Sequence, residues 1–255
     1  MLDPRGRTRP LVAPDQKNLS SETQDIETQV SVNKMYEDAV KQYIHQVWES
    51  HDPSWFPGPQ PISIERKHFK ILKSKPYVVC EKTDGVRHML VCFEAPDTKK
   101  ICVLVDRAFH LTFTTLTVPR DTVLDGELLD GVYHVYDAVR IKGEDLRQKT
   151  LTERLAKAKA VTKMILKQPN LQVKVKDMIP LSDVGSLKLS EKTDGLVFTP
   201  VEEPIRIGTH ETLFKWKPRH MITIDFFVAK GKDLYIQDHG HLRQAAELHP
   251  SMRPY

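Results

Sequence analysis

Apolar positions along the chain sort into two helical stretches and a series of short strands. From Val32 to about Ser50, Met35 is followed by Val40, Tyr43, Ile44 and Val47, which recur three or four apart. That spacing predicts a helix with one buried face, stopped by Pro53 and by Pro57-Gly58-Pro59. Runs of β-branched and aromatic residues follow at Tyr77 to Cys80, His88 to Phe93, Ile101 to Val105, Thr122 to Leu124 and Val132 to Tyr136. Turn clusters such as Thr83-Asp84-Gly85 and Asp130-Gly131 separate them, the pattern of an antiparallel sheet. Leu151 to about Leu166 predicts a second helix, ended by Gln168-Pro169-Asn170. Further strands are expected at Leu196 to Thr199, Thr212 to Trp216, Thr223 to Ala229 and Leu234 to Ile236, before a polar tail. Residues 1 to about 32, with Pro4, Pro10 and Pro14 and no sustained periodicity, read as a mobile arm.

Composition narrows the class. The 255 residues are 40% hydrophobic and 28% charged, enough apolar content for a substantial core. No apolar run approaches the roughly 20 residues of a membrane helix, and the N-terminus leads into no hydrophobic signal core. Cys80, Cys92 and Cys102 form no CxxC, which argues against a disulfide frame or a structural zinc and for a reducing, intracellular compartment. A net charge of +4 permits a polyanionic partner without naming one. The eleven histidines show no metal spacing; His210, His220, His239 and His241 read as surface or loop residues.

Several short motifs could carry chemistry. Lys82-Thr83-Asp84-Gly85-Val86-Arg87 lies between two expected strands, and Asp-Gly favours a tight turn, so Lys82 would sit at a strand end with Arg87 nearby. A lysine among other cations is a candidate covalent nucleophile, because neighbouring positive charge enlarges the neutral amine fraction that can attack. A solvated lysine beside an ordinary hairpin is the plainer reading. Leu124-Asp125-Gly126-Glu127-Leu128 places an acidic residue after a turn, suited to a ribose hydroxyl or a divalent metal, or is simply another hairpin. Tyr136 on its strand is either core or a stacking platform for a base. In Leu213-Phe214-Lys215-Trp216-Lys217-Pro218, alternation sets Lys215 and Lys217 on one face, as a phosphate-binding pair or as charges guarding an exposed edge. Lys159, Lys163 and Lys167 lie four apart and form a stripe, read as a solvated helix face before a guide for RNA. Glu-Lys-Thr-Asp-Gly occurs twice, at 81–85 and 191–195; only the first copy is followed by arginine two residues after its glycine, so Lys82 rather than Lys192 is the candidate.

The ordered set Lys82 to Arg87, Val105-Asp106-Arg107, Leu124 to Glu127, Tyr136-Asp137-Ala138, Thr193-Asp194-Gly195-Leu196-Val197-Phe198 and Phe214 to Pro218 resembles the motif series of covalent nucleotidyltransferases. These are the mRNA capping guanylyltransferases and the ATP- or NAD-dependent polynucleotide ligases. Phe56 to Ile64 upstream and Thr223-Ile224-Asp225-Phe226 downstream tilt the resemblance toward capping enzymes, in appearance those of large DNA viruses. The resemblance implies an α+β fold, a DNA ligase-like nucleotidyltransferase domain of antiparallel sheets flanked by helices over residues 33–224, and the start of an incomplete OB-fold at 225–255. It implies Lys82 as the acceptor of GMP from GTP, Arg87 and Arg107 on ribose and phosphates, and Glu127 on the ribose or a metal-bound network. Tyr136 would stack on guanine, and Lys176 would reach the guanine oxo group. Asp194 would position metal or phosphate, Lys215 and Lys217 would hold the α-phosphate, and Asp225 would close the site. Mg2+ or Mn2+ is the implied ion, with Glu127 and Asp194 as its protein ligands. The RNA 5' end is the implied acceptor, with triphosphatase and methyltransferase units as partners. The rivals are an ATP-dependent RNA or DNA ligase and a catalytically silent nucleotide- or RNA-binding module.

Overall fold

The computed structural model describes residues 34–166, 168–223, 226–238 and 241–252, and it divides at Lys215/Trp216 into two compact units. The expected N-terminal arm, Lys167, Asp225 and His239 lie outside the described residues. Among those described, no helix is long and apolar enough to cross a membrane.

The first unit holds two sheets. One contains β2 (Tyr77–Thr83) between β10 (Ile179–Pro180) and β11 (Thr193–Pro200), followed by β12 (Gly208–Trp216) and β1 (Pro59–Ser63). The other runs β5 (Leu111–Phe113), β4 (Lys100–Asp106), β3 (Val86–Glu94), β6 (Thr122–Leu129), β7 (Val132–Ile141) and β8 (Glu144–Asp145), with β9 (Gln172–Val175) also on β7. Among the described residues, three α-helices accompany them: α1 (34–48), α2 (Phe69–Ser74) and α3 (Leu151–Thr162).

The larger sheet is buried on both faces, and its strand alternation shows why. Met89, Val91 and Phe93 of β3 pack with Val40, Ile44 and Trp48 of α1, whereas Leu90 and Cys92 pack with Tyr133, Ala158 and Val161 on the α3 side. A strand covered on both faces has no polar register, so its residues read as one continuous apolar run. The smaller sheet has a separate core of Val79, Phe198 and Phe214 against Leu72 of α2. Helix α3 begins on a capping box in which Thr150 accepts from the Glu153 N–H and the Glu153 carboxylate accepts from the Thr150 N–H.

Several expectations are corrected. Strands β2 and β3 belong to different sheets, so Asp84-Gly85 is a crossover and not a hairpin turn. A Cβ at Gly85 would lie 2.7 Å from the Leu128 carbonyl oxygen, which explains the glycine without a tight turn. Asp125-Gly126 is likewise no turn but the middle of β6. Two pairings are parallel, β1 with β12 and β9 with β7, because both are reached through long connections that impose no antiparallel return. Pro59 and Pro61 do not exclude β1, since a sheet edge leaves N–H positions unused. Helix α3 stops at Thr162, not near Leu166, as Met164 and Ile165 donate back only three residues and tighten the last turn.

The second unit is a three-stranded sheet of β13 (Phe227–Ala229), β14 (Asp233–Asp238) and β15 (His241–Glu247). Strand β15 occupies what reads in sequence as a polar tail; its place comes from the ladder to β14 and not from any apolar alternation.

Candidate active site

A cavity of about 260 Å3 is lined by residues of both sheets of the first unit. Its floor is one face of the smaller sheet. Alternation turns Cys80 and Lys82 of β2, Val197 and Thr199 of β11, and Leu213 and Lys215 of β12 toward the cavity, while Val79, Phe198 and Phe214 turn into the core behind. The larger sheet adds Arg87, Glu127, Tyr136 and Asp137, and Arg107, Lys176 and the Pro59 to Pro61 segment complete the wall.

Lys82 donates to both oxygens of Asp194, at 2.9 and 3.1 Å. Cations share its cavity, as expected, but the group the amine touches is a carboxylate. The two copies of Glu-Lys-Thr-Asp-Gly explain the contact, because they run antiparallel beside one another, Thr83 opposite Thr193 and Lys82 opposite Gly195. The lysine of the first copy thereby meets the aspartate of the second. Lys192 instead pairs with Asp130 at 2.6 Å on the surface, where the two side chains are 66% and 61% exposed. A second nucleophilic type in the wall, the Cys80 thiol, is pushed up to about 11 by burial and stays protonated.

Tyr136 reaches the cavity through an irregularity invisible in sequence. Asp125 pairs with Asp137 and the next residue, Gly126, with Val135, so Tyr136 is the extra residue of a bulge. The bulge switches strand parity, and Val135 and Ala138 both enter the α3-side core while Tyr136 is turned out of it. Gly126 is required there, since a Cβ would lie 2.7 Å from the Tyr133 ring and from the His134 carbonyl oxygen.

A polar net joins these groups. Arg87 forks onto Asp125 at 3.1 and 2.6 Å and donates to the Pro59 carbonyl at 2.9 Å, while the Tyr136 hydroxyl donates to Asp125 at 2.7 Å. Burial works against the Arg87 charge, but the Asp125 carboxylate outweighs it and holds the guanidinium ionised. Burial raises the Tyr136 phenol well above its ordinary range, with Arg87 opposing, so the hydroxyl remains a donor. Lys176, just past β9, donates to the Glu81 carbonyl (3.1 Å), the Thr83 hydroxyl (2.8 Å) and Glu127 (3.3 Å), and it lies 6.0 Å from the centre of the Tyr136 ring. The Thr83 hydroxyl donates to the same Glu127 oxygen. Asp137, not singled out by sequence as a functional residue, lines the cavity and is gripped from behind by Arg154 of α3.

Of the expected site residues, the cavity gathers Lys82, Arg87, Arg107, Glu127, Tyr136, Lys176 and Lys215, with Asp194 against Lys82. Strand β12 ends at Trp216, so Lys217 does not share a strand face with Lys215; it belongs to the second unit. Among the described residues, no three carboxylate, imidazole or thiol side chains converge to hold a metal. Glu127 and Asp194 are hard oxygen donors of the right kind for Mg2+ or Mn2+, but each is engaged by a lysine. That donor set suits an ion shared with phosphate oxygens and not one held by the protein alone.

Residues 21–219 match the family described as mRNA capping enzyme, catalytic domain. The chain belongs to the mRNA capping enzyme family. It is 32% identical over 216 residues to the mRNA-capping enzyme subunit alpha of Schizosaccharomyces pombe, covering 69% of this chain and 54% of that protein. The Saccharomyces cerevisiae subunit alpha is 31% identical (67% and 47% covered), and the mRNA-capping enzyme of Danio rerio 27% identical (71% and 36% covered). The chain thus spans about half the length of the fungal capping enzymes it matches. These relatives are fungal and vertebrate, and they lend no support to the expected likeness to viral enzymes. Among solved structures, the ATP-dependent DNA ligase from bacteriophage T7 in complex with ATP is 14% identical with a TM-score of 0.46, over 77% of this chain and 82% of that one.

Proposed function

We propose that this capping-family chain carries the guanylyltransferase step, moving GMP from GTP to Lys82 and then to the diphosphate 5' end of RNA. The observation behind this reading is the Lys82 amine on the cavity floor, held by Asp194 and faced by the cationic wall of Arg87, Arg107 and Lys215. Asp194 takes a proton from the Lys82 ammonium, and the freed amine attacks the α-phosphorus of GTP. An N–P bond forms as the bond from the α-phosphorus to its bridging oxygen breaks, pyrophosphate leaves, and the second amine proton passes to solvent. Arg87, Arg107 and Lys215 offset phosphate charge, Tyr136 stacks on the base, Lys176 meets the guanine oxo group, and Glu127 the ribose. Mg2+ or Mn2+ would enter with the triphosphate, beside Asp194 and Glu127, and neutralise charge on its oxygens.

Asp225 as a closing residue, residues 225–255 as the start of an OB-fold, and triphosphatase and methyltransferase units as partners belong to the same proposal. So does an intracellular setting. The name "subunit alpha" borne by the fungal relatives supports a second subunit.

The test is retention of radiolabelled GMP after denaturation, on incubation with α-labelled GTP and a divalent ion. Lys82→Ala should abolish the label, Lys192→Ala should keep it, and Asp194→Asn should slow it by about 100-fold, the lower range for a lost proton acceptor. Label surviving loss of Lys82 refutes the assignment, displacement of GTP by ATP points to a ligase, and no label on the unaltered chain marks a silent module.

A further inference from the structure

Gln60 of β1 lines the cavity, yet its amide nitrogen is closed off from solvent and has no hydrogen-bond partner. Buried polar atoms are nearly always paired, because an unmade bond leaves the desolvation cost of the group uncompensated. The segment that carries Gln60 is fixed in place. Arg87 donates to the Pro59 carbonyl at 2.9 Å, the Gly208 N–H donates to the Gly58 carbonyl at 3.0 Å, and the prolines at 59 and 61 lock φ on either side. Other donors of the same wall already have partners within the protein: the Tyr136 hydroxyl on Asp125, the Arg87 guanidinium on Asp125 and Pro59, and the Lys176 ammonium on three acceptors. Gln60 therefore stands on a fixed backbone and carries a donor whose partner the folded chain does not supply.

We infer that Gln60 is a nucleoside-contacting residue: when GTP fills the cavity, its side-chain amide turns and Nε2 donates a hydrogen bond to an acceptor atom of guanosine. The inference rests on the cavity being the GTP site. A ligand that brings an acceptor to this nitrogen relieves the unmade bond, so part of the binding energy comes from a defect of the empty site. Flanked by prolines, the backbone has little freedom left to lose on binding. The acceptor belongs to the base or to the ribose, and analogues lacking one acceptor at a time distinguish the two.

The experiment is calorimetric titration of GTP into the 255-residue chain in the Lys82→Ala background, which reads binding without transfer, and into the same chain carrying Gln60→Leu or Gln60→Glu. Leucine keeps the approximate volume without the amide, and a carboxylate can accept but not donate. Both should bind GTP about three- to tenfold more weakly, the range of one neutral hydrogen bond. Without nucleotide, Gln60→Leu should melt at the same temperature as its parent or higher, since an unpaired group has been removed. 7-Deaza-GTP, 2'-deoxy-GTP and 3'-deoxy-GTP then locate the acceptor: the analogue that lacks it binds the parent more weakly but loses nothing further with Gln60→Leu. Variants that bind GTP as tightly as the parent, a lowered melting temperature in Gln60→Leu, or equal losses for every analogue in both proteins each overturn the inference. A parent that binds no GTP overturns the reading of the cavity itself.

Discussion

Arg154 holds the wall of the cavity from behind, and its removal should be among the most damaging single changes in the first unit. Its Nε and Nη2 donate to Asp137 at 2.6 and 2.9 Å, and its Nη1 to the carbonyls of Lys149 and Glu203 at 2.5 and 3.2 Å. The two side chains are only 3% and 10% exposed. Arg154→Met keeps most of the volume but strands a buried carboxylate and two carbonyls, and breaking a buried pair from one side costs about 3–5 kcal/mol. Total stabilities of only about 5–15 kcal/mol make that a large fraction. At about 2–4 °C per kcal/mol for a unit of this size, the unfolding midpoint should fall by roughly 10 °C. The assay is urea and thermal unfolding read by the fluorescence of Trp48, which is buried in the first unit. Burial raises the Asp137 carboxyl above its ordinary value, and Arg154 opposes that rise. Without Arg154 the folded state gains more by protonating Asp137 than the unfolded state does, so it binds more protons above about pH 4, and stability falls as pH rises. The deficit should accordingly be smallest in acid and largest near neutrality. Arg154→Met with Asp137→Asn should regain much of the loss by removing the stranded charge. A single variant within about 1 kcal/mol of the parent, or a double variant no better than the single, would refute an uncompensated carboxylate as the cause.

Gly126→Ala sets a Cβ 2.7 Å from the buried Tyr133 ring and the His134 carbonyl, so the chain should lose about 1–3 kcal/mol in chemical denaturation. Unchanged stability there would show that β6 and β7 can separate freely. His45 and His210 are both held below their ordinary range by burial, His210 despite Glu203 nearby. The unfolded state then binds more protons than the folded one below about pH 6.5, so stability should decline as the pH falls from there. His45→Gln with His210→Gln should flatten that slope in urea midpoints measured between pH 5 and 7.

Motif chemistry was legible in sequence wherever it depends on residue type and local order. Lys82, Arg87, Glu127, Tyr136, Lys176 and Lys215 are recognisable in the chain and share one cavity in the fold. The alternation of β2 and β12 is written in their residues, as is the capping box that starts α3. What the sequence could not convey is which segments become neighbours. Asp84-Gly85 reads as a hairpin because a turn is a local preference, whereas the passage of the chain into a second sheet depends on partners tens of residues away. The bulge at Tyr136 has no signature of its own; it arises from how β7 registers on β6. Asp194 meets Lys82, Asp137 meets Arg154, and Gln60 is left unpaired, all for the same reason.

Local sequence fixes backbone preference and the side-chain inventory, since both depend on a few adjacent residues. The pairing of those side chains, and hence whether an amine faces a carboxylate or open water, is set by contacts across as many as 112 positions of chain that form only once the sheets have packed.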